Sequence, residues 1–173
     1  MCRHHGLGLV VLGMWALVAC SGAGGGLDFP TGPVGGKKLV EELMKSSDKA
    51  GMVAKMKPTK ADLEALFDPS AVETMSAYVD KVYGSIGDIG MKPEQTEVLF
   101  NMAATEDFLN ATDAAKKFPG GYARLAPKLK PGVIWYAWKY VKPGETLGMA
   151  FDGLAHVNSR WVWIPKPFRA ISE

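Results

Sequence analysis

A chain of 173 residues, 47% of them hydrophobic, is long enough for one domain with a substantial core and too short for two of ordinary size. Charge is close to balanced, with 20 basic against 18 acidic residues for a net +2. No basic stripe accompanies that balance, which argues against nucleic acid as a partner, because phosphate-backbone binding needs clustered lysine and arginine.

Met1 to Ala19 reads as a targeting segment. Arg3, with His4 and His5, supplies a positive start, and Gly6 to Ala19 is an uncharged apolar run of 14 residues. A helix needs about 20 residues to cross a bilayer core of about 30 Å, so this run fits the apolar region of a secretory signal and not a span. Ala16 and Ala19 are the small residues a cleavage site requires. The tetrapeptide Leu17-Val18-Ala19-Cys20 resembles the lipobox of bacterial lipoproteins. That resemblance implies a diacylglycerol on Cys20, cleavage just before it and acylation of the new amino terminus. Ser21 stands where an aspartate would imply the inner membrane, so the expected location is the outer membrane, facing the periplasm. The expected partners are then the membrane itself, through the lipid on Cys20, and an envelope protein. An ordinary signal peptide with a chance cysteine is the competing reading.

Cys2 would leave with the signal at residues 1–19, and Cys20 would carry lipid. The processed chain would then hold no disulfide, and its stability would come from packing alone. Ser21 to Gly36 has seven glycines and two prolines in 16 residues. Such a stretch reads as a tether, with a typical span of about 20–25 Å. The expected organisation is a tether at 20–36 and a single globular domain at 37–173.

Lys37 to Ser47 has Leu39, Val40, Leu43 and Met44 on one side, and Glu41 in register with Lys45, which predicts a helix. After a break, Asp48 to Met56 continues with Met52, Val53 and Met56 apolar. Thr59 and Asp62 form a capping-box pattern opening a short helix with Leu63, Leu66 and Phe67. Asp68 is a natural N-cap and Pro69 suits a first helical turn. Val72, Met75, Val79, Val82 and Ile86 then repeat at helical spacing beside Tyr78, and Gly87 is available as a stop. From Thr96 the alternation of Val98, Phe100 and Met102 predicts a strand, followed by a helical turn capped by Thr105. Lys116 to Gly132 is punctuated by proline and glycine, with one helical turn at Tyr122 to Leu125.

The last third reads as three strands, "VIWYAWKYV", "TLGMAFDGLAHV" and "RWVWIPKPF", separated by turns at Pro143-Gly144 and Asn158-Ser159. The fold class is therefore α+β: N-terminal helices packed on a curved antiparallel sheet of about four strands, ending in a three-strand meander. Two-residue turns would pair Val141 with Thr146, Trp135 with Asp152, His156 with Trp161 and Leu154 with Trp163. One face would then collect Ile134, Tyr136, Trp138, Tyr140, Leu147, Met149, Phe151, Val157, Val162 and Ile164, a core face with no charge. The other would gather Trp135, Lys139, Asp152, Leu154, His156, Trp161 and Trp163.

That second face has two main readings. It is a sheet surface shielded by the chain from Asn110 to Pro131, or a recognition patch of Trp135, Lys139, Asp152, His156, Trp161 and Trp163. Catalysis by Asp152 and His156 is disfavoured, because four residues along a strand at about 3.3 Å each leave them about 13 Å apart. No catalytic residue is assigned. One histidine after signal removal is too few for a zinc site, and Met44, Met52 and Met56 read as core filling and not as copper ligands. No metal or cofactor is expected. The order of elements from Asp68 to Phe168 and the stretch "DGLAHVNSRWVWIPKPF" resemble the NTF2-like and cystatin-like α+β domains. That resemblance implies a second candidate site: a pocket for a small apolar ligand between helix and sheet, lined by Tyr78, Tyr136, Tyr140 and Phe151, of isomerase-like or hydrolase-like descent.

Overall fold

The computed structural model describes residues 27–87 and 89–171, so the signal segment, the lipobox and Cys20 lie outside the described residues. The elements run α1 (Gly32–Lys45), α2 (Lys49–Lys55), α3 (Lys60–Leu66), α4 (Pro69–Ser85), β1 (Glu97–Ala104), α5 (Thr105–Asn110), α6 (Gly121–Leu125), β2 (Ile134–Val141), β3 (Gly148–Val157) and β4 (Arg160–Trp163). The four strands form one antiparallel sheet in the order β1-β2-β3-β4, and with the helices this is an α+β fold. Among the described residues no helix is long and apolar enough to cross a membrane.

Local chemistry explains most helix starts. The Asp48 carboxylate accepts from the Gly51 N–H at 2.9 Å at the head of α2. In α3 the capping box is reciprocal: Asp62 N–H donates to Thr59 Oγ1, and Thr59 N–H donates to Asp62 Oδ2. Asp68 caps α4 through the Ser70 N–H, with Pro69 in the first turn. The helical turn after β1 departs from expectation. Asp107 caps it by accepting from Ala104 N–H, while buried Thr105 turns its hydroxyl to the Lys130 carbonyl at 2.8 Å.

The glycine-rich stretch is corrected more deeply. Helix α1 begins at Gly32, not Lys37, and Leu27 and Phe29 already pack against the core. Gly35 and Gly36 are buried in the helix because it lies very close to its neighbours. A Cβ on Gly36 would stand 2.8 Å from ring atoms of both Phe100 and Trp161. These glycines create close approach and not slack, and the part of the expected tether before Leu27 lies outside the described residues.

The sheet is buried on both faces. On one, α1 and α2 lay Leu39, Val40, Leu43, Met52, Val53 and Met56 against Tyr136, Trp138, Tyr140, Leu154, Trp161 and Trp163. On the other, α3 to α6 bring Leu63, Phe67, Val72, Met75, Phe108 and Tyr122 to Trp135, Ala137, Ala155, Val162 and Ile164. Helices were expected over one face and the chain from Asn110 to Pro131 over part of the other; that segment does cover the second face, with Phe118, Tyr122, Leu125 and Leu129, joined by α3 and α4. Central strand β2 is consequently apolar on both sides, and its side chains are buried except for half-buried Ile134 and Lys139.

Register explains the difference. Pairing between β3 and β4 is as expected, Leu154 with Trp163 and His156 with Trp161, across an Asn158-Ser159 turn in which both residues have positive φ. Between β2 and β3 the turn is centred at Pro143-Gly144 but the connection runs through residues 142–147, so Val141 pairs with Gly148 and Ala137, not Trp135, faces Asp152. A bulge then intervenes, because Tyr136 pairs with Leu154 and Gly153 is the extra residue. Gly153 has φ +85°, and a Cβ there would collide with the Ile164 carbonyl oxygen. Past this point the alternation inverts. Leu154, Trp161 and Trp163 join the face of Tyr136 and Trp138, and Val162 and Ile164 move to the other.

Two substitutions test this packing by thermal and denaturant unfolding. Gly36→Val should destabilise the protein by about 2 kcal/mol through overpacking against Phe100 and Trp161. Gly153→Ala should cost at least about 2 kcal/mol, since it adds a strained φ and a backbone collision.

Candidate functional site

The structure dissolves the expected tryptophan patch. Trp135, Trp161 and Trp163 are 0%, 1% and 3% exposed. They also lie on different faces, Trp135 in the cluster of α3 to α6 and the other two under α1 and α2. His156 meets Trp161 edge-on with ring centroids 5.0 Å apart. Lys139 reaches the Thr146 carbonyl at 3.4 Å, and Asp152 is buried towards Tyr122, so charge and indole do not form a common surface. The bulge at Gly153 is the physical reason, because it places Asp152 and His156 on opposite sides of the sheet.

The expected pocket is half assembled. Tyr136 packs between Phe100, stacked at 5.4 Å, and Trp161 at 5.3 Å. Tyr140 is fully buried and donates its hydroxyl to the Val40 carbonyl at 2.8 Å. Both therefore belong to the core. Tyr78 and Phe151 do meet at an open cleft of about 460 Å³. One wall is the end of α4 and the chain after it, with Val82, Ile86 and Ile89. The other is the start of β3, with Met149 and Phe151, and Trp163 lines the cleft between them. Beyond Pro165, Lys166 and Arg169 are its charged lining residues among those described.

The C-terminal turn that carries these cations is fixed from three sides. The Tyr78 hydroxyl donates to the carbonyls of Pro165 (2.8 Å) and Lys166 (3.1 Å), and the Tyr83 hydroxyl donates to the Trp163 carbonyl at 2.8 Å. Lys166 has φ +51°, a conformation unusual for a residue with a side chain, and its N–H donates to Asp152 Oδ1 at 3.1 Å. The same oxygen accepts from the Tyr122 hydroxyl at 3.2 Å, and the Asp152 carbonyl accepts from Trp163 Nε1 at 2.9 Å. Asp152 thus joins β3, α6 and the turn. Burial raises its carboxyl to about 6, opposed by those two hydrogen bonds and the nearby positive charge of Lys166 and Arg169. Burial, reinforced by the Asp152 charge, also pushes the Tyr122 hydroxyl well above the usual range.

A second polar junction went unseen in the sequence. Buried Asp62 accepts from Thr59, from Asn158 Nδ2 at 3.0 Å and from Arg160 Nη1 at 3.0 Å, while Arg160 Nη2 donates to the carbonyls of Lys55 and Lys57. Only the capping-box half of it has a local signal, because Arg160 lies 98 residues away. Among the described residues there is no group of three or more histidine, cysteine or carboxylate side chains suited to a metal ion.

Comparison with protein-family models, curated proteins and solved structures finds no match to this chain.

The Asp152 carboxyl has a definite signature in stability against pH. Its folded value of about 6 lies above the unfolded value near 4, so the folded state holds a proton that the unfolded state has released. This group's contribution is therefore best below about pH 4, declines as pH rises, and reaches a penalty of up to about 3 kcal/mol above pH 6. Asp152→Asn keeps an oxygen acceptor for Tyr122 and Lys166 but has no titration. Urea unfolding from pH 4 to 7.5 should show the variant gaining stability relative to the parent across that interval. A constant difference would refute the assignment.

Proposed function

We propose that this chain is an envelope lipoprotein anchored through lipid on Cys20, on the periplasmic side of the outer membrane, whose α+β domain binds or scaffolds and does not catalyse. The observation that carries the anchor is the tetrapeptide Leu17-Val18-Ala19-Cys20 closing an uncharged run of 14 residues. Several acyl chains on one residue give durable attachment where a single chain would be marginal. Only seven residue steps separate Cys20 from Leu27, the first described residue, a reach of at most about 25 Å when fully extended. The domain would therefore sit close against the bilayer.

Binding is favoured over catalysis by the placement of the polar groups. Asp152 and His156, the acid and histidine weighed for catalysis, lie on opposite faces of the sheet, and Asp152 Oδ1 already accepts two hydrogen bonds from within the protein. A second reading, a site for a small apolar ligand, is favoured by the cleft at Tyr78 and Phe151. Its volume lies within the range of about 300–1,000 Å³ typical of small-molecule sites.

Mass spectrometry of the mature amino terminus tests the anchor. The expected species begins at Cys20 and carries acyl mass, and Cys20→Ser should abolish both the modification and cleavage before that residue. An unmodified Cys20, or the same cleavage in the serine variant, would overturn it.

A further inference from the structure

The cleft between α4 and the start of β3 has a chemistry more specific than an apolar hollow. Its walls, Val82 and Ile86 facing Met149 and Phe151, are apolar side chains without a hydrogen-bond donor. The hydroxyl of Tyr78, which also lines it, already donates to the Pro165 and Lys166 carbonyls. Such walls suit an alkyl chain and offer little to fix a polar body. Met149 on this lining remains 39% exposed, so apolar surface is open to solvent at the cleft.

Charge is concentrated elsewhere on the lining. Lys166 and Arg169 are both exposed, and neither forms an ion pair with a described residue. Lys166 is held in its left-handed conformation by the Asp152 and Tyr78 hydrogen bonds, which fix where its side chain leaves the turn. An apolar trough with two cations on its lining matches a molecule with an alkyl chain and one anionic head.

We propose that this cleft binds a long-chain fatty acid, with the alkyl chain against Val82, Ile86, Met149 and Phe151 and the carboxylate on Lys166 and Arg169. This rests on the reading of the domain as a binding module and is independent of the anchor at Cys20.

Both core clusters, and the hydrogen bonds that fix the turn, lie within residues 27–171, so the chain from Cys20 to Glu173 without lipid carries the whole described fold. In that chain Trp163 lines the cleft and should transfer excitation to bound dansyl-undecanoic acid. Octanoate, decanoate and dodecanoate, kept below their micelle concentrations, should displace the probe with affinity rising about threefold to fourfold per added methylene. Combined Lys166→Glu and Arg169→Glu should weaken dodecanoate at least tenfold and leave dodecanol within about twofold, with a cooperative thermal transition showing that the variant is folded, at a lower midpoint because the charges beside Asp152 are reversed. Met149→Asp, at a partly exposed site, should weaken every chain length. Absence of displacement by dodecanoate, no dependence on chain length, or equal loss of dodecanoate and dodecanol on charge reversal would each overturn the proposal. None of these results bears on the mass of the amino terminus, so the binding site and the anchor fail separately.

Discussion

At Gly153 the chain takes φ +85°, its carbonyl accepts from the Ile164 N–H at 2.9 Å, and no side chain would fit against the Ile164 oxygen. This extra residue in β3 reverses the alternation of every later side chain in the hairpin. Without it, Trp161 and Trp163 would point away from α1 and α2, and Val162 and Ile164 would point towards them. The cluster in which Trp138 stacks on Phe151 at 5.1 Å and meets Trp163 at 5.7 Å exists because of that inversion. Asp152 stands just before the bulge and keeps the face of Ala137 and Tyr122, while His156 beyond it is turned to the other. One backbone conformation, open to glycine and costly for other residues, therefore decides both the aromatic core and the support beneath the cleft.

Two buried carboxylates then join the parts in different ways. Asp62 is neutralised directly: Arg160 is at 3.0 Å, and amide and hydroxyl donors complete its shell. It ties α3 to the β3–β4 turn. Among the described residues Asp152 has no ion pair, and it relies on a phenol and a backbone amide, so burial dominates its titration. The first resembles a closed joint. The second carries a cost at neutral pH, retained where the turn bearing Lys166 has to be held in an uncommon conformation.

What could be read in advance was what neighbours in sequence determine. The caps at Thr59 and Asp68, the stripe of α4 and the Asn158-Ser159 hairpin all depend on contacts within a few residues, and each was legible. Glycine composition misled at Gly35 and Gly36, because freedom and close packing demand the same residue; the obstacle at Gly35 is the Pro30 backbone, and at Gly36 it is Phe100 and Trp161 far along the chain. The two faces were sorted correctly as far as Phe151, and Gly153 inverted the remainder. Nothing local marks that glycine as a bulge, since the colliding atom belongs to Ile164. Of the pocket, Tyr78 and Phe151 were found, whereas Lys166 and Arg169 were not, because their place at the cleft follows from the turn and not from any periodicity.

Two long-range hydrogen bonds carry a consequence for how the molecule comes into being. Phe29 accepts from Trp161 across 132 positions, and Val40 from Tyr140 across 100. A chain delivered from its amino-terminal end, whether from a ribosome or through a translocation pore, exposes the greasy stripes of its first two helices long before β2 and β4 emerge to receive them. Assembly must wait for the final tenth of the polypeptide, and a fragment stopping short of Arg160 would be a client for chaperones and proteases and not a smaller version of the protein.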